Sequence, residues 1–350
     1  MPDFQILCWD GYDEGDYLHQ FEQSEQVAIN ASVLVSDIWA AQQVLGDHAN
    51  VDILNINNPY ARKQLFPSNK ILSLDKDKFS PLLNSNLPWA SRLCEWAYAD
   101  SGELIGIPQR FGPFNFVVNN HRISASTAAD EGFNLISDSD SRFDYGILLF
   151  PEFNVFHICI SAGLNPFGSL SEDDLCRFDS MATHWFRNAS LITSDSNQLN
   201  RALVDGEIDL FMSGGLFTSA HLRLQGHLNI EAITPKSGPI DGHGAIAFME
   251  ITSIPTRSSQ AQLAENFLAY ILDPTVATQI ASNEKVCNPI VQMGNPEVFS
   301  KMSSQFLKAI QWDSLQEDVE HCANYDIPVD FPALLTRLEN IRQQVANHEK

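Results

Sequence analysis

An acidic residue stands alone in an apolar, β-branched run of the chain, where its charge could hold a ligand. The run extends from Ala245 to Pro255, and its single carboxylate, Glu250, follows Phe248 by two residues. An ionised carboxylate costs several kcal/mol to bury unless it is paired or hydrogen-bonded. Glu250 therefore either meets a cation, from the chain or from a ligand, or lies on a solvated edge.

Two aromatic residues near the N-terminus could enclose the alkyl and cationic parts of the same ligand. Trp9 ends the first apolar run, and Tyr12 follows after Asp10 and Gly11. A ring face held over an ammonium group contributes about 0.5–2 kcal/mol, depending on desolvation. A core position is the alternative for Trp9, but its place at the end of a strand beside Gly11 favours a ligand-binding edge.

A basic residue, Arg110, follows a Pro-Gln pair in the run IPQRFG and precedes Phe111. Its guanidinium could pair with Glu250, or could bind a carboxylate of a ligand in bidentate fashion. A solvated surface arginine is the third possibility. Arg110 is therefore both a candidate partner of Glu250 and a candidate ligand contact.

The elements that position these residues alternate between strand and helix. The sequence predicts strands at Phe4–Trp9, Val27–Val33 and Val51–Ile56, with Ser36 as the N-cap of the helix that precedes the third strand. A β-α-β-α-β order indicates a parallel sheet whose ligand edge is formed by the loops after the strands. The run from Ala245 to Pro255 is short, bounded by Gly and Pro, and also predicts a strand.

Size and charge exclude some classes of function. The 350 residues, 44% of them hydrophobic, can bury a large core and favour two domains over one. The 21 basic residues against 44 acidic ones give a net charge of −23, which argues against nucleic-acid binding. An acidic surface is compatible with the collection of cationic solutes.

Motifs for catalysis, metal binding and membrane insertion are absent from the sequence. It contains no P-loop, GxGxxG, HExxH or GxSxG pattern, so we expect no catalytic residues and no cofactor. The six cysteines are scattered, which predicts neither a structural metal nor a disulfide scaffold. No apolar run is long enough to span a membrane, and no signal peptide precedes the first strand.

Three segments together resemble the spermidine/putrescine-type periplasmic substrate-binding proteins of ABC importers. They are GEIDLFMSGG from Gly206, the acid-bearing strand that ends in Ile-Pro, and FLAYILDPTVATQIA from Phe267. The resemblance implies an α/β, two-lobe type II periplasmic-binding-protein fold. Each lobe is then a mixed, mostly parallel sheet flanked by helices, and two crossover strands form the hinge.

The resemblance also implies domain limits and a ligand site. Lobe one would comprise residues 1–117 and 250–295, lobe two residues 118–249 and 296–350, with the ligand cleft between them. In that family the acid of the crossover strand takes the ligand's ammonium group, and aromatic residues stack on the alkyl-ammonium groups. The candidate ligand contacts in this chain are Trp9, Asp10, Tyr12, Asn58, Tyr60, Arg110, Phe111, Glu152, Asn154, Ser213, Gly214, Phe248, Glu250 and Tyr325.

The function implied is that of a non-enzymatic solute-binding component, monomeric and partnered by a membrane ABC permease. The ligand would be a small amine, a polyamine such as putrescine or spermidine. A zwitterionic amine, such as an amino acid, an ω-amino acid or an opine, is the alternative ligand, and a sensing subunit for a membrane receptor is the alternative role. The location implied is the periplasm; the missing signal peptide leaves the cytoplasm as the alternative.

Overall fold

Strands and helices alternate along most of the chain in the computed structural model, which describes residues 3–137, 142–283 and 286–348. The strands of the described residues are β1 Asp3–Cys8, β2 Ala28–Val33, β3 Ile53–Asn57, β4 Ile107–Asn119, β5 Tyr145–Leu148, β6 Leu191–Thr193, β7 Leu210–Gly215, β8 Ile230–Ile233, β9 Ala245–Ser253 and β10 Cys322–Asn324. The predicted α/β fold class is confirmed.

The helices of the same residues are α1 Asp16–Glu25, α2 Asp37–Leu45, α3 Asn58–Tyr60, α4 Lys76–Leu83, α5 Ser91–Cys94, α6 Ala125–Glu131, α7 Pro151–Ser161, α8 Glu172–Asn188, α9 Ser196–Asp205, α10 Leu216–Leu224, α11 Ala261–Tyr270, α12 Pro274–Ala281, α13 Pro296–Phe299, α14 Ser304–Ala309, α15 Trp312–Glu320 and α16 Phe331–His348. Ala61–Leu65 is a π-helical turn, and the 3₁₀ turns are Pro88–Ala90, Glu95–Ala97, Gly132–Ile136 and Val291–Gly294. Each helix is too short or too polar to cross a membrane within the part of the chain that is described.

The chain divides into two units, and two strands pass from one to the other. Unit 1 is Met1–Phe111 with Phe248–Leu307, and unit 2 is Gly112–Ala247 with Lys308–Lys350. The first two boundaries fall inside long strands, β4 and β9, and the third falls inside α14. Residues 296–307, expected in the second lobe, group with unit 1, where Lys301 Nζ lies 2.7 Å from the Thr275 hydroxyl.

Unit 1 contains the parallel sheet that the alternating pattern predicts. Strand β1 pairs in parallel with β2 and with β3, and β9 pairs antiparallel with β3. The register places Glu250 opposite Asn57 at the carboxyl end of β3. Because strands β1 and β3 end at the same edge, the residues that follow them meet the acid-bearing part of β9.

Local capping explains where the helices around this sheet begin. The Ser36 side chain accepts a hydrogen bond from the Trp39 backbone N–H at 3.2 Å, so the predicted N-cap of α2 is confirmed. Asp273 caps α12 in the same way, through the Thr275 N–H at 2.8 Å, with Pro274 in the first turn. These caps fix the entry of each helix onto the sheet.

Unit 2 is built around β7. Strand β5 pairs in parallel with β7 and with β6, while β4 pairs antiparallel with β7 and with β8. The C-terminal segment joins this unit through Arg223, whose guanidinium donates to the backbone carbonyls of Lys308 and Ala309 at 2.9 and 3.0 Å. The Arg223 guanidinium also donates to the carbonyl of Leu228, in the turn before β8, and to the carbonyl of Ile230, the first residue of β8, both at 2.7 Å.

Candidate ligand-binding site

Glu250 is a buried acid in β9, with only 7% of the residue exposed. Burial raises the pKa of its carboxyl group to about 7, and Asp37 adds to this rise. Arg110 and a hydrogen bond from the Tyr12 hydroxyl act in the opposite direction on the same pKa. Its Oε2 atom has no hydrogen-bond partner among the described residues, so one buried oxygen remains available as an acceptor.

Arg110 is a buried cation in β4, with 1% of the residue exposed. Its guanidinium carbon lies 3.8 Å from the centroid of the Tyr12 ring, in cation–π contact. Nη1 donates to the Asp10 backbone carbonyl at 2.8 Å. Nε and Nη2 find no acceptor within the described part of the chain, which is unusual for buried donors.

Tyr12 connects these two charged groups. Its hydroxyl accepts a long hydrogen bond, 3.4 Å, from the Arg110 backbone N–H, and it also hydrogen-bonds to Glu250. The Tyr17 hydroxyl donates to the Tyr12 backbone carbonyl at 2.7 Å and holds the loop after β1 in place. One face of the Tyr12 ring is covered by the guanidinium of Arg110.

A second buried acid, Asp37, supports the half-buried Trp9. The Trp9 indole N–H donates to Asp37 Oδ1 at 3.2 Å. The backbone N–H and the side-chain amide of Asn57 donate to the same carboxylate at 3.1 and 2.8 Å. Burial raises the pKa of Asp37 to about 6, while these three donors act to lower it. Asp37 thus joins Trp9 to Asn57 at the carboxyl end of β3, and Asn57 is the residue that lies opposite Glu250 in β9.

The other candidates in unit 1 are packed into its interior. Asn58, Tyr60, Phe111 and Phe248 are buried. The Phe111 ring packs edge-on against Trp89, with the centroids 5.6 Å apart, and Asn58 donates to the Leu93 carbonyl at 3.5 Å. Asp10 is less buried and contributes its backbone carbonyl to Arg110.

In unit 2, Asn154 and Ser213 belong to one buried hydrogen-bond chain. The Asn154 amide donates to the Ser213 hydroxyl at 2.8 Å and to the Leu148 carbonyl at 2.9 Å, and it accepts from the Phe150 N–H at 3.2 Å. His157 Nδ1 lies 3.0 Å from the Ser213 hydroxyl, and burial lowers the pKa of this histidine to about 4. The structure thereby joins the two sequence candidates Asn154 and Ser213 directly, and it adds His157, a residue that the sequence analysis did not mark.

Ser213 and Gly214 lie where the backbone of β7 departs from regular strand geometry. Ser213 has a φ of 65°, in the left-handed region, where the pairing of β4 with β7 shifts register. A Cβ atom at Gly214 would lie 2.4 Å from a Phe211 ring carbon and 3.0 Å from the Thr218 hydroxyl. The space beside Gly214 is filled by neighbouring side chains, so a larger residue there would require repacking.

Aromatic rings pack against Tyr325, one of the two remaining candidates of unit 2. Tyr325 lies edge-on to Phe114 and Phe156, with ring centroids 5.6 and 5.3 Å away, and Phe114 packs on Phe153 at 3.9 Å. Glu152 is buried in the first turn of α7. Within unit 2, these two candidates lie at the start of α7 and directly after β10.

The sequence matches no protein-family model and no curated protein. Solved structures do match over nearly their full length. The spermidine/putrescine ABC transporter substrate-binding protein PotD from Streptococcus pneumoniae has a TM-score of 0.69 at 14% identity, covering 98% of this chain and 100% of that one. The Tp0655 (TpPotD) lipoprotein of Treponema pallidum has a TM-score of 0.72 at 14% identity, covering 98% and 99%.

A third structure, the periplasmic binding protein MotA from A. tumefaciens B6 in complex with glucopine, has a TM-score of 0.63 at 12% identity, with 97% and 99% covered. This chain has the periplasmic substrate-binding-protein fold. The type II fold inferred from the GEIDLFMSGG and FLAYILDPTVATQIA segments is thus confirmed. At these identities of 12–14% the likeness establishes the fold alone.

Within the described residues, unit 1 contains a buried group of charged side chains. Arg110, Tyr12 and Glu250 interact with one another, and Asp37 lies close enough to raise the Glu250 pKa. No set of three His, Cys, Asp or Glu side chains in the described ranges is arranged to hold a metal ion. The arrangement can bind charge and hydrogen-bond a polar solute.

Gly11 lies against the Arg110 guanidinium, and replacing Gly11 should destabilise the folded protein. Its φ is +83°, and a Cβ there would lie 2.9 Å from Arg110 Nη2 and 3.1 Å from Val286 Cβ. We expect Gly11→Ala to lower the free energy of unfolding by about 1–3 kcal/mol more than Gly102→Ala does. Gly102 is a matched control, because its φ is +93° and no atom lies within 4 Å of the added Cβ.

Urea denaturation of the two variants measures this difference. Equal losses at both positions would mean that backbone strain alone sets the requirement for glycine. In that case the close approach of Gly11 to the Arg110 guanidinium would carry no energetic weight.

Proposed function

We propose that this protein is the solute-binding component of an ABC importer and that it captures a small amine, with Glu250 as the acceptor for an ammonium group. Two ligand classes fit this role. One is the polyamines, such as putrescine or spermidine, and the other is zwitterionic amines, such as amino acids, ω-amino acids or opines. The binding of either ligand class requires no catalytic step.

The observation that carries the proposal is the buried carboxylate of Glu250. One of its oxygens has no hydrogen-bond partner among the described residues, although the residue is almost completely removed from solvent. A buried acceptor of this kind costs free energy unless something donates to it. An ammonium group would supply a charge-assisted hydrogen bond worth roughly 1.5–3 kcal/mol.

Trp9 supports the apolar part of the proposed site. It lies directly after β1 and is only partly buried, while Asp37 holds its indole N–H at 3.2 Å. A ring fixed in this way loses little conformational entropy when an alkyl chain packs on it. Trp9 and Glu250 together would hold an alkylammonium group.

The fold supports a proposal for the partner and for the location. The matched structures include ABC transporter substrate-binding proteins, and such a component would deliver its solute to a membrane permease. We therefore propose a permease as partner and the periplasm as the place of action. The net charge of −23 is compatible with the attraction of cationic solutes.

Replacing Glu250 with glutamine tests the proposal directly. A thermal-shift screen against diamines, polyamines, ω-amino acids, basic amino acids and sugars first identifies a ligand, because a ligand that binds only the folded protein raises the melting temperature. We expect an amine to give this shift, and Glu250→Gln to weaken its binding at least about tenfold in calorimetric titration.

Glu25→Gln provides the matched control, since Glu25 is an exposed acid on α1 of the same unit. It makes the same change in net charge and should leave the affinity unaltered. Equal affinities for the Glu250→Gln variant and the unchanged protein would remove Glu250 from the site. A response to sugars alone would remove the amine from the proposal.

A further inference from the structure

Arg110 gives the proposed site a positive group of its own, next to the acid. The guanidinium is stacked on Tyr12 at 3.8 Å and anchored through Nη1 to the Asp10 carbonyl at 2.8 Å. Burial, ring stacking and one strong hydrogen bond together fix its orientation. It is thus a preorganised cation rather than a flexible surface side chain.

The Arg110 guanidinium limits which ligand groups can bind at Tyr12. The ring is buried, and the face that would attract a ligand's ammonium group already carries the guanidinium. A second positive group beside Arg110 would be repelled, and the repulsion is strong where water is excluded. A ligand that carries only ammonium groups therefore gains little from this side of the site.

The unused donors of Arg110 identify the group that it can accept. Nη1 is engaged, whereas Nε and Nη2 have no acceptor among the described residues. These two nitrogens form one edge of the planar guanidinium, and their N–H bonds point in parallel. That edge matches the two oxygens of a carboxylate in a bidentate contact.

Among the described residues, Glu250 Oε2 is a free acceptor on a neighbouring side chain whose charge, when ionised, is opposite to that of Arg110. Arg110 is close enough to lower the pKa of Glu250, yet Glu250 Oε2 and the Nε–Nη2 edge of Arg110 remain without hydrogen-bond partners in the described chain. The same part of unit 1 thus offers one buried carboxyl group and one buried guanidinium, each with unsatisfied hydrogen-bonding capacity. A ligand with one charge of each sign satisfies both.

We propose that Arg110 binds a carboxylate of the ligand through its Nε–Nη2 edge and that the transported solute is a zwitterionic amino acid, whose ammonium group is held by Glu250. This assignment rests on the proposed function and narrows its ligand class. Polyamines then become weak ligands, because they leave the Arg110 edge unsatisfied.

A series of compounds built on 1,4-diaminobutane and its carboxylate analogues separates the possibilities. 1,4-Diaminobutane carries two amines, 4-aminobutanoate one amine and one carboxylate, and butanedioate two carboxylates; ornithine adds a carboxylate to the diamine. Calorimetric titration of the unchanged protein should show at least about tenfold tighter binding for 4-aminobutanoate or ornithine than for 1,4-diaminobutane. This ranking requires no variant, so it stands even if changes at Arg110 impair folding.

An Arg110→Gln variant then tests the residue itself. It should weaken binding of the preferred amino acid at least about tenfold, and weaken binding of the diamine much less. Arg257→Gln is the matched control, because Arg257 lies in the same unit with a side chain that is 61% exposed. That control should leave all the affinities unaltered.

Each contrary outcome has a distinct meaning. Tighter binding of the diamine would overturn the zwitterion assignment and leave the small-amine function in place. An Arg110→Gln variant that is folded and binds the amino acid with unchanged affinity would also overturn the assignment. Binding of butanedioate alone, or no binding by any compound, would overturn the small-amine function and the assignment with it.

Discussion

Between about pH 5 and pH 8, the Glu250→Gln variant should gain about 2–3 kcal/mol of unfolding free energy relative to the unchanged, ligand-free protein. Burial raises the Glu250 pKa from its ordinary value of 4.5 to about 7 in the fold. A raised carboxyl pKa means that the folded state binds its proton more tightly than the unfolded state does. The stabilisation is complete below pH 4.5 and is lost as the pH rises through about 7.

The comparison between two proteins is needed because other groups titrate in the same range. The pKa of Asp37 is also raised, which again favours the folded state at low pH. The pKa of His157 is lowered to about 4, so this residue contributes in the opposite direction between about pH 4 and 6.5. Both are present in the variant, and their contributions largely cancel in the difference.

Urea denaturation at four pH values, followed by circular dichroism, measures the difference. A difference that stays constant with pH would mean that Glu250 titrates in the folded protein as it does in the unfolded chain. The carboxylate would then be either solvated or fully compensated. A saturating ammonium ligand should flatten the same profile, because it stabilises the ionised form of Glu250.

The behaviour of Glu250 also illustrates how far sequence reasoning could go. A lone acid in an apolar strand needs a partner or a solvated edge, and that physical requirement makes a cation one of the expected neighbours. The sequence left three possibilities for Arg110, one of them a solvated surface position. The structure buries Arg110 against Tyr12 and places it close to Glu250, which excludes the solvated surface position.

The alternation of strands and helices and the N-cap at Ser36 were predictable for a related reason, since they depend on local rules. Ser36 caps the helix that its position before an apolar periodic segment indicated. The boundaries of the two units depend instead on long-range packing. Residues 296–307 therefore group with unit 1, which local sequence pattern does not reveal.

Asp37 shows where local rules fail. An acid in the first turn of a helix, directly after a serine N-cap, is typical of any helix start, so its sequence context gave no sign of another role. Only the pairing of β1 and β3 brings the Trp9 indole and the Asn57 amides to its carboxylate. Helix-capping rules predicted the start of α2 correctly, but they did not indicate that Asp37 binds the Trp9 indole and the Asn57 amides.

Replacing Asp37 with alanine should lower the free energy of unfolding by about 3–5 kcal/mol. The carboxylate accepts three hydrogen bonds, from the Trp9 indole N–H and from both N–H groups of Asn57. The alanine variant removes the acceptor of the two buried Asn57 donors and of the half-buried Trp9 indole N–H, and each buried donor left without an acceptor costs about 1–3 kcal/mol. It also releases the Trp9 ring, so the affinity for an amine ligand should fall together with the stability.

Asp37→Asn is the informative control for this loss. An asparagine oxygen can still accept from Trp9 and from the Asn57 backbone, whereas its new N–H₂ group needs an acceptor. Asn57 can provide one, because its Oδ1 atom has no hydrogen-bond partner in the described structure. Rotation of the Asn57 amide would restore the pairing, so Asp37→Asn should cost less than about 1.5 kcal/mol. Equal losses for the two variants would show that the negative charge of Asp37, rather than its hydrogen-bond geometry, holds the Trp9 side of the site together.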